Sequence, residues 1–221
     1  MPGLRYKLGR AFVGSIRLQC VREFVIGRRH MQRSGGFVIA CTHLSHLEPA
    51  IVSCHTRRHI TWIARVEFFR WRWLAPILKM AEALPIDRQG RSVRTIRRAI
   101  DLTRRGEIVG IFPEGGVATG TDAMFRGGTM KRGACVIAIR GNVPIVPCVV
   151  LGTEKLNRVA PWLPFKRAGV WVAYGEPIFP PPNSMHRRAA RFEMAERLQR
   201  EIMRTYQQLL ERSGLRDEQV A

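Results

Sequence analysis

Residues 37–49 read Phe-Val-Ile-Ala-Cys-Thr-His-Leu-Ser-His-Leu-Glu-Pro, and this stretch decides the fold. Its apolar start is typical of a strand that is buried on both faces, and its polar continuation marks where that strand ends. Residues 108–116 repeat the arrangement as Ile-Val-Gly-Ile-Phe-Pro-Glu-Gly-Gly. Two buried strands with such endings predict a parallel sheet that has its functional site at the carboxyl ends of the strands.

Strand-like and helix-like stretches alternate along most of the chain. This alternation predicts the α/β fold class, as a single domain with a mostly parallel sheet flanked by helices. A length of 221 residues fits one domain with a sizeable core. The predicted strands are 36–41, 60–64, 84–86, 107–112, 144–151 and 169–174, and the predicted helical stretches are 49–57, 66–82, 91–105, 130–140 and 184–212.

The N-terminal stretch 4–26 has apolar residues at helical spacing and is predicted to form an amphipathic helix. Residues 1–34 carry eight lysines and arginines and one acidic residue. The helix either lies on an anionic lipid surface or packs its apolar face on the domain, and both can hold. We therefore divide the chain into a basic amphipathic N-terminal helix region, 1–34, an α/β core, 35–183, and a C-terminal helix packed on that core, 184–221.

The chain is strongly basic, with 37 lysines and arginines against 17 acidic residues and a formal net charge of +20. This balance predicts an anionic partner, such as acidic lipid headgroups, phosphorylated small molecules or nucleic acid. The basic residues are dispersed and form no helix-turn-helix, zinc-finger or RNA-binding signature, so we expect no nucleic-acid partner. The sequence shows no signal peptide and no uncharged apolar run of about 20 residues, so we expect a peripheral protein at the cytoplasmic face of a membrane.

The five cysteines are odd in number, and no two of them are spaced as Cys-x-x-Cys. Three of them, Cys41, Cys135 and Cys148, lie in strongly apolar segments. We interpret them as buried free thiols in a reducing compartment, and not as disulfides or zinc ligands.

His43 and Glu48 follow the first buried strand and form a candidate acid/base pair. The loop between them can fold back and bring the carboxylate to one imidazole nitrogen, which leaves the other nitrogen as a base. Pro49 favours the first position of a helix, so Glu48 is predicted to be the N-cap, and a purely capping role is the alternative. His46 is the competing base. No metal is expected, because the three side chains lack the i,i+4 spacing of helical metal ligands.

Glu114-Gly115-Gly116 follows the second buried strand. Glycines after a strand commonly form a plain turn. A turn that exposes backbone N–H groups can also hold an oxyanion or a phosphate, and the residues alone leave both interpretations open.

Four blocks in order make the chain resemble the glycerolipid acyltransferase superfamily, especially its bacterial 1-acylglycerol-3-phosphate acyltransferases. The blocks of that family are His-x4-Asp, a hydrophobic residue before Asp-Arg, Phe-Pro-Glu-Gly-Thr-Arg, and a proline-bearing strand. The similar stretches here are Thr42–Pro49, Pro85–Arg88, Phe112–Val117 and Val143–Pro147, followed by Gly175-Glu176-Pro177.

The resemblance implies an enzyme that moves a fatty acyl group from acyl-CoA or acyl carrier protein to a hydroxyl of a lysophospholipid-like acceptor, in phospholipid biosynthesis or remodelling. It implies His43 as the base and Glu48 as its orienting partner, with no metal, cofactor or covalent enzyme intermediate. Backbone groups near Gly115 would stabilise the oxyanion. The implied substrate-binding residues are Arg88, Glu114, Gly115, Gly116 and Lys131.

Two positions depart from the family pattern. Glu48 stands where the family has Asp, which lengthens the side chain by one methylene. Gly116-Val117 stands where the family has Thr-Arg, and that arginine helps to hold the phosphate of the acceptor. The basic residues after this block either replace the missing contact or form a solvated basic face: Arg126, Lys131 and Arg132.

Residues 68–74, Phe-Phe-Arg-Trp-Arg-Trp-Leu, mix aromatic side chains with arginines. They are either buried core or a membrane interface, and the resemblance favours the interface. Together with 4–26 they would form a membrane-facing surface. Two alternatives to the whole interpretation are an acyltransferase for a non-phosphate lipid alcohol and a non-catalytic basic protein that binds lipid or nucleic acid.

Overall fold

A seven-stranded sheet runs through the part of the chain that the structure describes. The structure is a computed structural model, and it describes residues 14, 21–87, 92–118, 120–154, 168–182 and 185–217. The strands are β1 Val21–Ile26, β2 Phe37–Cys41, β3 Ile60–Arg65, β4 Leu84–Ile86, β5 Ile108–Ile111, β6 Ile145–Leu151 and β7 Ala168–Tyr174. In sheet order, β1-β7-β6-β2-β5-β3-β4, every neighbouring pair is parallel except β6 and β7. The predicted α/β fold with a mostly parallel sheet is therefore confirmed.

Helices cover both faces of this sheet. They are α1 Glu48–Ser53, α2 Ala75–Met80, α3 Ser92–Arg104, α4 Gly133–Gly141 and α5 Arg187–Ser213. The predicted helical stretch 66–82 is divided into a 3₁₀ turn, Val66–Arg70, and α2, because Trp71 between them has an extended backbone. Further 3₁₀ turns lie at Arg28–Met31, Gly120–Asp122 and Met124–Arg126.

The prediction of a helix over 4–26 is wrong for its last six residues. Val21–Ile26 is strand β1, which lies parallel to β7 along its whole length. In a segment of six residues, the spacing of apolar residues fits the period of a helix as well as that of a strand. Hydrogen bonding to the distant strand β7 makes this segment a strand. The rest of the predicted helix lies outside the described residues, except residue 14, which is helical.

The core has two halves, one on each face of the sheet. α3, α4 and α5 pack on one face, and α1 and Met31 pack on the other. Alternate residues of β2 and β6 point to opposite halves, so both strands are buried at every position. This double burial explains why the two strands read as continuous apolar runs and not as alternating ones.

The C-terminal helix α5 packs a stripe of buried side chains on the sheet. The sequence pattern places Phe192 in this stripe, but its side chain is 50% exposed and Met194 is buried instead. The guanidinium of Arg132 lies over the exposed ring, 5.2 Å from its centroid. The buried members of the stripe are Ala190, Met194, Ala195, Leu198, Ile202, Tyr206 and Leu209.

The described cysteines agree with the interpretation as free thiols. Cys41, Cys135 and Cys148 are buried, and Cys54 is partly buried. Within the described ranges, the structure has no helix that combines the length and the apolar character needed to cross a membrane.

Candidate active site

His43 and Glu48 meet at the carboxyl end of β2. The chain leaves the strand at Cys41, loops through residues 42–47, and enters α1 at Glu48. His43 Nδ1 lies 3.1 Å from Glu48 Oε2, so the predicted contact between imidazole and carboxylate is present. The His43 side chain is 11% exposed and that of Glu48 is fully buried. The pair is therefore shielded from water on the carboxylate side and open on the imidazole side.

The sequence predicts Glu48 as the N-cap of α1, and this prediction is wrong. Leu47 is the cap residue, and Glu48 is the first residue of the helix itself. The other carboxylate oxygen, Oε1, accepts hydrogen bonds from the Ser45 N–H at 2.7 Å and from the Thr153 hydroxyl at 2.5 Å. These donors lie outside the helix, so the carboxylate fixes the loop and the imidazole and does not cap the helix.

The hydrogen bond to Glu48 decides which imidazole nitrogen of His43 is the base. A carboxylate accepts hydrogen bonds, so Nδ1 carries the proton and Nε2 keeps its lone pair. The ring is also held flat against Phe112, with centroids 4.0 Å apart and planes at 24°. Phe112 in turn stacks on Trp62 at 5.0 Å. These two aromatic side chains fix the plane in which Nε2 presents its lone pair.

His46, the competing base, occupies a different environment. Its ring meets His43 edge-on at 5.7 Å and Phe68 edge-on at 5.5 Å. Burial lowers its pKa below the ordinary value, and the nearby His43 lowers the pKa further. Because the buried carboxylate contacts His43, the geometry favours His43 as the base.

Glu114 joins the two loops of the site. Its Oε2 accepts from the His43 backbone N–H at 2.6 Å, and its Oε1 accepts from the Met124 N–H at 2.8 Å. The Ala118 N–H adds a hydrogen bond to the His43 carbonyl at 2.8 Å. Both carboxylate oxygens of Glu114 thus accept hydrogen bonds from backbone N–H groups. The contact of Glu114 with the acceptor stays a prediction.

Burial raises the pKa of Glu114 to about 7. The two backbone N–H groups lower the pKa and the nearby Glu48 carboxylate raises it, but the loss of solvent is the largest effect. Glu114 therefore changes charge close to neutral pH, at a position that holds the backbone of His43.

Gly115 and Lys131 lie against each other. Gly115 has φ of 78°, and a Cβ added there would lie 2.8 Å from Lys131 Nζ. The Lys131 N–H also donates to the Pro113 carbonyl. The Gly115 N–H donates to the Phe112 carbonyl at 3.0 Å, so it closes the turn and is not free for an oxyanion. A Cβ added at the neighbouring Gly116 would meet no atom within 4 Å.

The structure separates the three basic residues that follow the third block. Arg126 donates to Asp217 in the C-terminal segment. Arg132 lies over the ring of Phe192. Lys131 is the one of these three that stands beside the Gly115 turn. Arg88, the other predicted phosphate ligand, lies outside the described residues.

Thr153 and the aromatic pair behind His43 are not predicted by the sequence analysis. Thr153 follows β6, which lies beside β2 in the sheet, and it is fully buried. The position just after the neighbouring strand is the signal that points to it, because carboxyl ends of adjacent parallel strands meet at one edge.

Comparison with known proteins assigns the chain to a family. Residues 22–151, more than half of the chain, match the family model described as Acyltransferase. The chain belongs to the acyltransferase family. It is 32% identical over 155 residues to the 1-acyl-sn-glycerol-3-phosphate acyltransferase of Bacillus subtilis (strain 168), across 70% of this chain and 72% of that protein. This assignment confirms the predicted superfamily and the prediction of an O-acyltransferase enzyme.

Two further relatives agree with the family. A protein of Mycoplasma pneumoniae named "Probable 1-acyl-sn-glycerol-3-phosphate acyltransferase" is 26% identical over 161 residues, across 69% of this chain and 58% of that protein. The crystal structure of the 1-acyl-sn-glycerophosphate (LPA) acyltransferase PlsC from Thermotoga maritima superposes with a TM-score of 0.67 over 90% of this chain and 78% of that chain. At 20% identity, this last likeness shows the shared fold alone.

Proposed function

We propose that this acyltransferase moves a fatty acyl group from an acyl thioester to the free hydroxyl of a 1-acylglycerol-3-phosphate-type acceptor, in phospholipid biosynthesis or remodelling. The observation that carries the proposal is the hydrogen bond between His43 Nδ1 and the buried Glu48 carboxylate. The names of the two sequence relatives support the acceptor class. The thioester would be carried by CoA or by acyl carrier protein.

The reaction needs one base and no covalent enzyme intermediate. His43 Nε2 takes the proton of the acceptor hydroxyl while the acceptor oxygen bonds to the thioester carbonyl carbon. The resulting tetrahedral oxyanion collapses, the C–S bond breaks, and the thiolate takes the proton back from the imidazolium. Glu48 stabilises the imidazolium in between. Each atom and proton is accounted for by the donor, the acceptor and His43.

The oxyanion needs a hydrogen-bond donor other than the Gly115 N–H. That group already closes the turn with Phe112. We assign the oxyanion contact to the N–H of the next residue, Gly116, because a Cβ built there would meet nothing within 4 Å and a substrate can approach the backbone.

Lys131 is our candidate for the acceptor's phosphate. It stands beside the Gly115 turn and supplies positive charge where Val117 replaces the family arginine. Lysine binds phosphate as a point charge and does not need the planar geometry of arginine. Arg88 is the second candidate on the strength of the family pattern. An acceptor without phosphate remains the rival function, because it would need neither residue.

An exposed aromatic surface beside the site supports a peripheral membrane location. Trp71 and Trp73 are 47% and 67% exposed, so the core interpretation of 68–74 is wrong for these two side chains. Ile77 and Met80 of α2 are also exposed. Phe68 contacts both Trp71 and the ring of His46, so this surface continues towards His43. Exposed tryptophans beside arginines suit the interface of an anionic membrane.

An acceptor and donor panel tests the proposal. Purified protein would be assayed with acyl-CoA and with acylated carrier protein, against 1-acylglycerol-3-phosphate, glycerol 3-phosphate, other lysophospholipids and an uncharged lipid alcohol. We expect turnover with the first acceptor, its loss in His43→Ala, and its retention in the matched variant His46→Ala. Turnover with the uncharged alcohol alone would establish the rival function. Full activity of His43→Ala would refute the assignment of the base.

A further inference from the structure

A cavity of about 440 Å³ lies beside the two outer strands β1 and β7, away from the loops that carry His43. The carboxyl ends of β1 and β7, the 3₁₀ turn Arg28–Met31 and the second half of α5 form its walls. Tyr174 at the end of β7 pairs with Cys148 in the middle of β6, and the chain then runs towards the start of β6. His43 lies beyond the carboxyl end of β2, which is parallel to β6. The residues that line the cavity include neither His43 nor any of its hydrogen-bond partners, so the cavity is separate from the acyl-transfer centre.

Positive charge dominates the walls of this cavity. Four guanidinium groups line it against one carboxylate, that of Glu176. Two of the four, Arg204 and Arg212, follow with Gln208 at i, i+4 and i+8, which places the three side chains on one face of α5. The other two, Arg28 and Arg29, come from the 3₁₀ turn on the opposite wall. Cations from two separate elements thus converge on one space.

Close packing of backbone holds the two walls together. Gly27 has φ of 68°, and a Cβ there would overlap the carbonyl oxygen of Tyr174. A Cβ at Gly175 would overlap the hydroxyl of Thr205 on α5. His30 Nδ1 donates to the Gly175 carbonyl at 2.6 Å. These contacts fix the turn that carries the arginines against the end of β7, and the end of β7 against α5.

Three of the four arginines already contact neighbouring side chains or backbone and keep donors for a ligand. Arg204 pairs with Glu201 at 3.5 Å. Arg28 donates through Nε to the carbonyl of His55 at 3.2 Å, which leaves its two terminal nitrogens.

Arg29 donates through Nε to His30 Nε2 at 3.0 Å. It also approaches Glu176 at 3.4 Å, in a pair whose side chains are 79% and 58% exposed. A surface pair of this kind contributes little, so an incoming anion can replace Glu176 as the partner of Arg29.

We propose that this cavity binds the phosphate of a small phosphorylated molecule or of a lipid headgroup. Guanidinium groups on opposite walls suit a group with several charged oxygens, because each can form paired N–H···O bonds to it. The volume falls in the range of small-molecule sites, so the cavity has room for an organic part beside the phosphate. The site goes beyond acyl transfer at His43 and does not depend on it.

Inorganic pyrophosphate is the first probe of the site. Binding to the whole protein would be measured by calorimetry and by backbone NMR shifts. We expect shifts at residues 26–30 and 174–176, and a dissociation constant that rises at least about tenfold in Arg204→Gln/Arg212→Gln. The matched control, Arg188→Gln/Arg200→Gln, removes the same charge from the same helix outside the cavity and should bind like the wild type.

Vesicles distinguish the two sources of the phosphate. Sedimentation with phosphatidylcholine vesicles, with and without phosphatidic acid, would be compared for the same two double variants. A selective loss in Arg204→Gln/Arg212→Gln on the acidic vesicles identifies a lipid headgroup, and a loss restricted to pyrophosphate identifies a soluble ligand. Equal weakening in both double variants, or no weakening in either assay, would overturn the site. Circular dichroism and Tm confirm that both variants fold.

Discussion

Replacing Glu48 by glutamine tests whether this carboxylate sets the proton position on His43. Glu48 Oε1 has two donors, the Ser45 N–H and the Thr153 hydroxyl, at 2.7 Å and 2.5 Å. A backbone N–H can only donate, so the carbonyl oxygen of the glutamine must take this position. The amide nitrogen then replaces Oε2, 3.1 Å from His43 Nδ1, and donates to it. The imidazole proton then moves to Nε2, the nitrogen that must be unprotonated to act as the base.

The size of the effect follows from this change of tautomer. With Nε2 protonated, His43 cannot take the acceptor proton, so kcat should fall about 100- to 10,000-fold, which is the range that general-base assistance contributes. The buried contacts remain paired, so the free energy of unfolding should fall by no more than about 1–2 kcal/mol. Glu48→Asp keeps the carboxylate and the tautomer, and it should retain more activity than Glu48→Gln despite the shorter side chain.

Two measurements check this reasoning together. Thiol release from acyl-CoA gives the rate, and ¹⁵N shifts of the His43 ring show which nitrogen carries the proton. A Glu48→Gln protein with the proton on Nε2 and a near-normal rate would rule out His43 as the base. A proton that stays on Nδ1 would show that the carboxylate does not set the tautomer.

Three further predictions concern the rest of the site and its surface. Burial raises the pKa of Glu114 from 4.5 to about 7, so its contribution to stability is present below pH 4.5 and is lost as the pH rises through 7. Relative to Glu114→Gln, the wild-type free energy of unfolding in urea should therefore fall by about 3 kcal/mol between pH 4 and pH 8, and parallel pH profiles would contradict this. Lys131→Gln should raise KM for a phosphate-bearing acceptor about tenfold to a hundredfold and leave an uncharged alcohol unaffected, whereas equal loss for both acceptors would mean a structural role. The double variant Trp71→Ser/Trp73→Ser should keep its Tm and bind vesicles about tenfold or more weakly, since each aromatic side chain buried in the membrane contributes about 1.5–3 kcal/mol. Unchanged sedimentation with vesicles would exclude this surface from the membrane contact.

The sequence predicts the sheet and the central pair well, because both depend on local patterns. β2, β5 and the loop from His43 to Glu48 are each short, and the residues within each segment are close in sequence, so their spacing is enough to predict them. The same locality lets the sequence identify α3 and α5 by their periodic apolar faces, with boundaries within a few residues.

The parts that sequence analysis misses depend on contacts between distant residues. β1 matches a helical pattern as well as a strand, and its pairing with β7 decides the outcome. Thr153 reaches Glu48 from beyond β6, a partner that no spacing around His43 indicates. The Gly115 N–H looks available in the sequence, but the turn it closes with Phe112 occupies it. In each case the deciding partner is a residue that only the folded structure brings into contact.

The pairing of β1 with β7 determines when the sheet can be completed during protein synthesis. Residues 21–26 are synthesised long before their partners in β7, which begin at residue 168. At about 5–20 residues per second, a ribosome needs roughly 7–30 s to cover that separation. Through this interval the nascent chain carries β1 without its native neighbour, and the exposed Arg22 on that strand discourages pairing with another chain. The sheet can therefore close its outer edge only after nearly all of the chain has left the ribosome.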